Sequence, residues 1–450
     1  ASLHHGVKKL NSSNRTMKQL LLTLPALLLV PLIALHAQEP PDTNYDESKV
    51  PKYELPDPLV CFDGQPVPNP KMWRETRRPE ILRVFATNVY GLTPPVATRL
   101  KFETTGIEPQ ALGGLATRKE VTLHLFEDTN APWIDLLLFI PNAAPKPAPA
   151  FLGLSYGNQG VHADPAIKPS RATKTKRGEN ASRWPLEMIL KRGYAVATFA
   201  GADIEQDRHG SGSLQAPDGW KQGVRGYLLK KSGRTELADD EWGSIGIWAW
   251  GLSRALDYLE TDRAIDAKKV AVFGHSRTGK TALWAAAQDE RFAIAISNNS
   301  GQGGASLGRR RYGETVAASY SLSGIWYCRN YRQFGNNESA LPVDQHMLIA
   351  LMAPRPVYIA SAELDRWADP RGEFLAGLHA EPVYRLFGLP GLGVPEMPAV
   401  NTPIGQTIGY HIRTGDHDIT AYDWQQYLNF ADRHWNRDRG APEPAALRNP

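Results

Sequence analysis

Short apolar runs that do not alternate with polar residues recur along the chain at 150–154, 194–199, 270–273, 293–296, 357–360 and 407–412. Strands buried on both faces of a parallel sheet read this way, because helices cover each face and neither side needs polar residues. Two earlier runs, 120–126 and 133–140, lie close together and predict an antiparallel start to the same sheet. Helical periodicity fills the intervals: "SRWPLEMILKRG", "IGIWAWGLSRALDYLET", "TGKTALWAAAQDE" and "DWQQYLNFADRHW", with a further helix over 80–90. The alternation predicts an α/β fold, a three-layer αβα sandwich around a mostly parallel sheet. Residues 201–241 and 301–350 are too long and polar for simple crossovers, and long insertions at strand ends are where sites are built.

The ends and the bulk composition narrow the setting. Residues 1–16 carry no pattern and read as vector sequence or an upstream extension. From Met17 the chain runs "MKQLLLTLPALLLVPLIALHAQEPP", with Lys18 ahead of an apolar stretch and small Ala37 before a polar start. That is the layout of a secretory signal peptide over 17–37 and predicts a secreted or periplasmic protein. Residues 38–450 then form one expected catalytic domain, entered by the Pro-rich arm "EPPDTNYDESKVPKYELPDPL". A hydrophobic fraction of 42% with 22% charged residues suits a soluble globular protein, and a monomer is the separate expectation, which composition does not decide. The net charge of +4 is spread too thinly to recruit nucleic acid, the longest basic run being Arg309-Arg310-Arg311. Cys61 and Cys328 allow either one disulfide or two buried thiols. No Cys/His constellation implies a metal, and no cofactor is expected.

The chemistry gathers at "KKVAVFGHSRTGKTALWAAA", residues 268–287. Its segment GHSRTGKT satisfies the phosphate-loop pattern G-x-x-x-x-G-K-[ST] between a strand and a helix. The loop interior has no extra glycine, however, and the next strand ends "AIAISNNSG" without the carboxylate a bound Mg²⁺ needs. The same residues form a nucleophile elbow with Ser276 at its tip, although the glycine comes at Gly279 rather than at the usual position two after the serine. Chain order favours the elbow. Asp365 follows the strand at 357–360 and His417 follows the last strand, so serine, acid and histidine each lie just past a strand's carboxyl end, the order of the α/β-hydrolases. A serine hydroxyl needs an imidazole to take its proton and a carboxylate to orient that imidazole, which gives Ser276, His417 and Asp365 their roles. Glu363 and Asp369 share the acid's loop and stand as alternatives. Arg277 puts a guanidinium beside the developing oxyanion, whereas His275 reads as a packed neighbour of the elbow. Asp203 and Glu205, at another strand end, read as solvated loop carboxylates.

The segment GHSRTG resembles the G-C-S-R-x-G signature of glucuronoyl esterases, carbohydrate esterase family 15, with His275 in place of the cysteine of fungal members. "NNSGQGGASLGRRRYGET", "VYIASAELDRWADPRGEF" and "GYHIRTGDHDIT" resemble later blocks of the family, and together they span the chain from about residue 50 onward. The resemblance implies an α/β-hydrolase fold and cleavage of the ester between a 4-O-methyl-glucuronic acid branch of glucuronoxylan and a lignin alcohol. Carried over by position, Ser276 is nucleophile, Arg277 the oxyanion residue and His417 the base, while Lys280, Glu314 and Trp367 contact the sugar. Many members carry the triad acid as a glutamate where this chain has Asn299, which shifts that burden to Asp365. An acetyl-xylan esterase would need the triad without the set Arg277, Lys280, Glu314 and Trp367, and a retired carbohydrate-binding scaffold would bind sugar without turnover. The alcohol side is expected to be shaped by the insertions at 201–241 and 301–350.

Overall fold

The computed structural model describes residues 43–94, 100–171, 173–207 and 221–435. The leader at 17–37, the residues before it and the first part of the arm lie outside these. Ten strands form one sheet: β1 (Lys101–Ala111), β2 (Ala116–His124), β3 (Trp133–Pro141), β4 (Ala148–Ser155), β5 (Ala195–Ala200), β6 (Ile265–His275), β7 (Ile294–Asn298), β8 (Val357–Ala362), β9 (Ile404–Gly405) and β10 (Ile408–Arg413). Their order is β1-β2-β3-β5-β4-β6-β7-β8-β10-β9. The first three pair antiparallel, and β5, β4, β6, β7, β8 and β10 run parallel. The expected antiparallel start and parallel remainder are therefore both present.

Every residue of β4, β5, β7, β8 and β10 is buried, which is why these strands show no alternation. Their side chains divide between two layers. Val270 and Val272 of β6 face one, with α3 (Ser244–Leu259) and α4 (Arg277–Gln288); Ala271 and Phe273 face the other, with α2 (Leu186–Lys191) and α6 (Ala421–His434). The helix expected near 80–90 includes α1 (Arg78–Phe85), and α5 (Pro370–Leu386) joins the first layer.

The insertion at 301–350 is not a solvated loop. Short helical turns fold it onto the core through Trp326, Tyr327, Tyr331 and Phe334. The arm runs along it: Gly313 N–H bonds the Asn44 carbonyl at 2.9 Å, Glu47 pairs with Arg310 at 2.7 Å, and His346 Nε2 donates to the Pro56 carbonyl at 2.9 Å. Cys61 and Cys328 are both buried and free, which decides between the two readings left open by the sequence. Among the described residues no helix is long and apolar enough to cross a membrane.

Candidate active site

β6 runs straight into α4 through Ser276, whose φ of 58° is a conformation few non-glycine residues adopt. The turn is tight because of its glycines. A Cβ on Gly274 would lie 2.0 Å from the Thr278 carbonyl oxygen, and one on Gly279 would lie 3.1 Å from the Gly274 carbonyl oxygen. The position two after the serine is free to be Thr278, because its hydroxyl clamps the turn, accepting from His275 N–H at 2.9 Å and donating to the His275 carbonyl at 2.8 Å. Ser276 N–H bonds the Asn298 carbonyl, while Gly279 and Lys280 N–H both bond the Ser276 carbonyl. Amides already bonded within the protein cannot wrap a phosphate, so the phosphate-loop pattern is met in letters and not in geometry.

The loop after β10 brings His417 to this turn. Its ring centroid lies 4.5 Å from that of His275, the residue before Ser276. His417 Nδ1 is 2.6 Å from Oδ2 of Asp365, which follows β8. An ionised carboxylate only accepts, so Nδ1 carries the proton and Nε2 keeps its lone pair. Asn299 Nδ2 donates to the same Oδ2 at 2.7 Å. Of the alternative acids, Asp369 is engaged elsewhere, capping α5 and pairing with Arg310 at 2.8 Å.

A buried relay fixes the histidine loop relative to the elbow. His275 Nδ1 donates to Asn298 Oδ1 at 2.6 Å, and Asn298 Nδ2 donates to Asp423 Oδ1 at 3.0 Å. Asp423 Oδ2 accepts from Arg413 Nε at 2.8 Å. The rest of that guanidinium bonds the carbonyls of Thr414 at 2.9 Å, Asp416 at 2.9 Å and Asp418 at 2.5 Å, the loop that carries His417. Burial, with His417 and Arg183 nearby, pushes the His275 pKa well down and keeps its ring neutral.

Arg277 Nε donates to Asp207 Oδ2 at 2.6 Å, and its guanidinium lies 5.4 Å from the ring centroids of both Tyr156 and Trp326. Burial acts to lower its pKa, but Tyr156, Asp207 and Glu314 outweigh this and hold it above the ordinary value. Lys280 Nζ, 5.8 Å from the Trp326 ring centroid, donates to Glu314 Oε2 at 2.8 Å and to the Gln302 carbonyl, with the Lys280 and Glu314 side chains only 3% and 5% exposed. Glu314 N–H bonds the carbonyl of half-buried Trp367 at 2.8 Å. The predicted sugar-contact residues thus form one cluster.

Beside Arg277 opens a cavity of about 420 Å³ whose lining includes Tyr156, Lys174, Thr175, Gln206 and Asp207. Its walls come from residues within 154–156, 173–179 and 201–207, closed by Trp248, Arg277 and Thr278. Of the insertion at 201–241, residues 201, 202, 206 and 207 contribute to this lining, and 208–220 lies outside the described residues. Asp203 and Glu205 are corrected as well. Both are buried, Glu205 pairing with Arg225 and Asp203 Oδ2 accepting the Asp135 N–H at 3.2 Å. Sequence reasoning missed Asp207, Trp326 and Asn298. The signal for Asp207 was available, since a guanidinium beside a nucleophile needs a carboxylate partner and Asp207 follows the strand at 194–199.

A family model described as "Glucuronyl esterase, fungi" matches residues 237–388. The chain is 45% identical to carbohydrate esterase MZ0003 of an unknown prokaryotic organism over 436 residues, 93% of this chain and 98% of that one. It is 29% identical to 4-O-methyl-glucuronoyl methylesterase 1 of Wolfiporia cocos over 398 residues, 84% of this chain and 83% of the relative. A solved glucuronoyl esterase from Solibacter usitatus matches with a TM-score of 0.80 at 47% identity, over 86% of this chain and 100% of that one. With the parallel sheet and the strained serine turn, a likeness that spans nearly all of these relatives assigns the fold and the chemistry together: the chain belongs to the glucuronoyl esterases, carbohydrate esterase family 15, carboxylic ester hydrolases on an α/β-hydrolase fold.

Proposed function

We propose that the chain cleaves the ester between 4-O-methyl-glucuronic acid on glucuronoxylan and a lignin alcohol, with Ser276 as nucleophile, His417 as base and Asp365 as the acid that orients it. One observation carries this reading: the imidazole of His417, bonded to Asp365 at 2.6 Å, lies against the residue that precedes Ser276. His417 Nε2 takes the hydroxyl proton as Ser276 Oγ bonds to the ester carbon, and the imidazolium then returns the proton to the departing alcohol. A water molecule activated in the same way releases the uronic acid. Arg277 is the first residue of α4, so its N–H lacks an intrahelical partner and can face the oxyanion together with its guanidinium.

Lys280, Glu314 and Trp367 offer a cation, a carboxylate and an indole face, the groups that grip sugar hydroxyls and the apolar side of a pyranose. The cavity beyond Arg277 is of a size to take the alcohol half. Residues 17–37 fit an enzyme exported to meet a polymer outside the cell. The test is turnover of methyl glucuronate and benzyl glucuronate, beside an acetylated xylan, by the wild type and Ser276→Ala. Glucuronate esters hydrolysed by the former and not the latter is the expected result; activity on acetyl groups alone would replace this reading with an acetyl-xylan esterase.

A further inference from the structure

Asn299 occupies the position at which many family members carry the triad glutamate, and the geometry around it points to a different task. Its Nδ2 donates to Asp365 Oδ2 at 2.7 Å, the oxygen that also accepts from His417 Nδ1 at 2.6 Å. The residue is 1% exposed, and its Oδ1 has no hydrogen-bond partner among the described residues. An unpaired buried acceptor costs free energy. The reverse amide orientation would set that oxygen against a carboxylate, so the donor must face Asp365.

The surrounding backbone holds Asn299 without help from Asp365. Its φ is 46°, its N–H bonds the Ala360 carbonyl of β8 at 2.7 Å, and the next two N–H groups, of Ser300 and Gly301, bond Glu373 Oε1 on α5 at 2.8 and 3.1 Å. The backbone that carries the amide is therefore fixed by β8 and α5. Apart from His417 and Asn299, the Asp365 carboxylate has one further bond among those described, a long one of 3.3 Å accepted by Oδ1 from Ala368 N–H.

We propose that Asn299 is a positioning residue, a fixed donor that sets the rotation of the Asp365 carboxylate so that Oδ2 faces His417. This rests on the triad reading above. The bond acts through Asp365 on the imidazole and touches no substrate, so its loss should appear in kcat and not in KM.

The test is a double-mutant cycle on methyl glucuronate with wild type, Asn299→Ala, Asp365→Ala and the double variant. Asn299→Ala is expected to lower kcat by about 10-fold, as befits a hydrogen bond to a charged group, with KM within about twofold. In the Asp365→Ala background the same change should alter kcat by less than about twofold, because the partner is gone. Equal losses in both backgrounds, a loss confined to KM, or no loss at all would overturn the proposal. If Asp365→Ala itself leaves kcat untouched, it is the triad reading that fails, a different pattern. Should Asn299→Ala not fold, Asn299→Gly suits the φ of 46° and still removes the donor, and it is expected to lose at least as much kcat. A readout without turnover is the downfield proton resonance of His417 Nδ1–H: it should shift in either Asn299 variant and vanish in Asp365→Ala, and an unmoved signal counts against the proposal.

Discussion

Asp365→Asn separates the charge of the proposed triad acid from its orientation. In the wild type, Oδ2 receives two donors, His417 Nδ1 at 2.6 Å and Asn299 Nδ2 at 2.7 Å. An amide at 365 that turned its NH₂ toward them would set N–H against N–H twice, so its oxygen stays where Oδ2 was and His417 keeps its tautomer. What disappears is the charge that stabilises the imidazolium. Two unit charges about 4 Å apart interact by ~4 kcal/mol at an effective dielectric of about 20, or roughly 10³ in rate. Where the amide is free to rotate, the same change in a serine triad costs on the order of 10⁴ in kcat, because the imidazole is held in the wrong tautomer. Initial rates of alcohol release from methyl glucuronate, with Ser276→Ala as the blank, should therefore show a fall of about 10³ for Asp365→Asn, growing toward about 10⁴ when Asn299→Ala is added. A fall below about 10-fold would remove Asp365 from the triad, and identical values with and without Asn299 would refute the locking argument.

Arg277→Ala should lower kcat by about 10² to 10³ as an oxyanion donor is lost, with Arg277→Lys recovering only part because it cannot keep the Nε bond to Asp207; a change confined to KM would assign the guanidinium to substrate binding alone. Burial pushes the His346 pKa down to about 3 from an ordinary 6.5. Because the folded value is the lower, the unfolded chain takes up the proton first, and stability falls by up to ~1.4 kcal/mol per pH unit as pH drops from about 6.5 toward 3. His346→Gln should accordingly reduce the loss of unfolding free energy between pH 7 and pH 5 by ~2 kcal/mol, from 1.5 units below 6.5, as read by urea denaturation at each pH; an unchanged difference would show that this ring does not resist protonation. Burial also raises the thiols of Cys61 and Cys328, the latter to about 12, so a thiol reagent should titrate two groups rapidly in denaturant and slowly in the native protein, and fast native reaction would contradict their enclosure.

How much of this was readable in the sequence varied with burial. Strands enclosed on both faces announced themselves as unbroken apolar runs, and the order Ser276, Asp365, His417 could be read because each residue follows such a run. β1 was missed because it lies at the sheet edge, with most of "KFETTGIEPQA" exposed and no apolar face to show a period. α5 was missed because Gly372, Gly377 and Pro382 interrupt its pattern, although packing on the sheet holds it helical. The pair Asn299–Asp365 is 66 residues apart and forms only when strand ends meet, so no local pattern could reveal it, whereas Asp207, 70 residues from Arg277, could be sought only from its place past a strand end.

The Arg413 fork ties the carbonyls of the histidine loop to Asp423, on the final described helix. The base proposed at residue 417 thus has two separate moorings, the Asp365 carboxylate on its ring and the Arg413–Asp423 pair beneath its backbone, so loosening the helix that carries Asp423 would release the loop even with the ring's own partner intact.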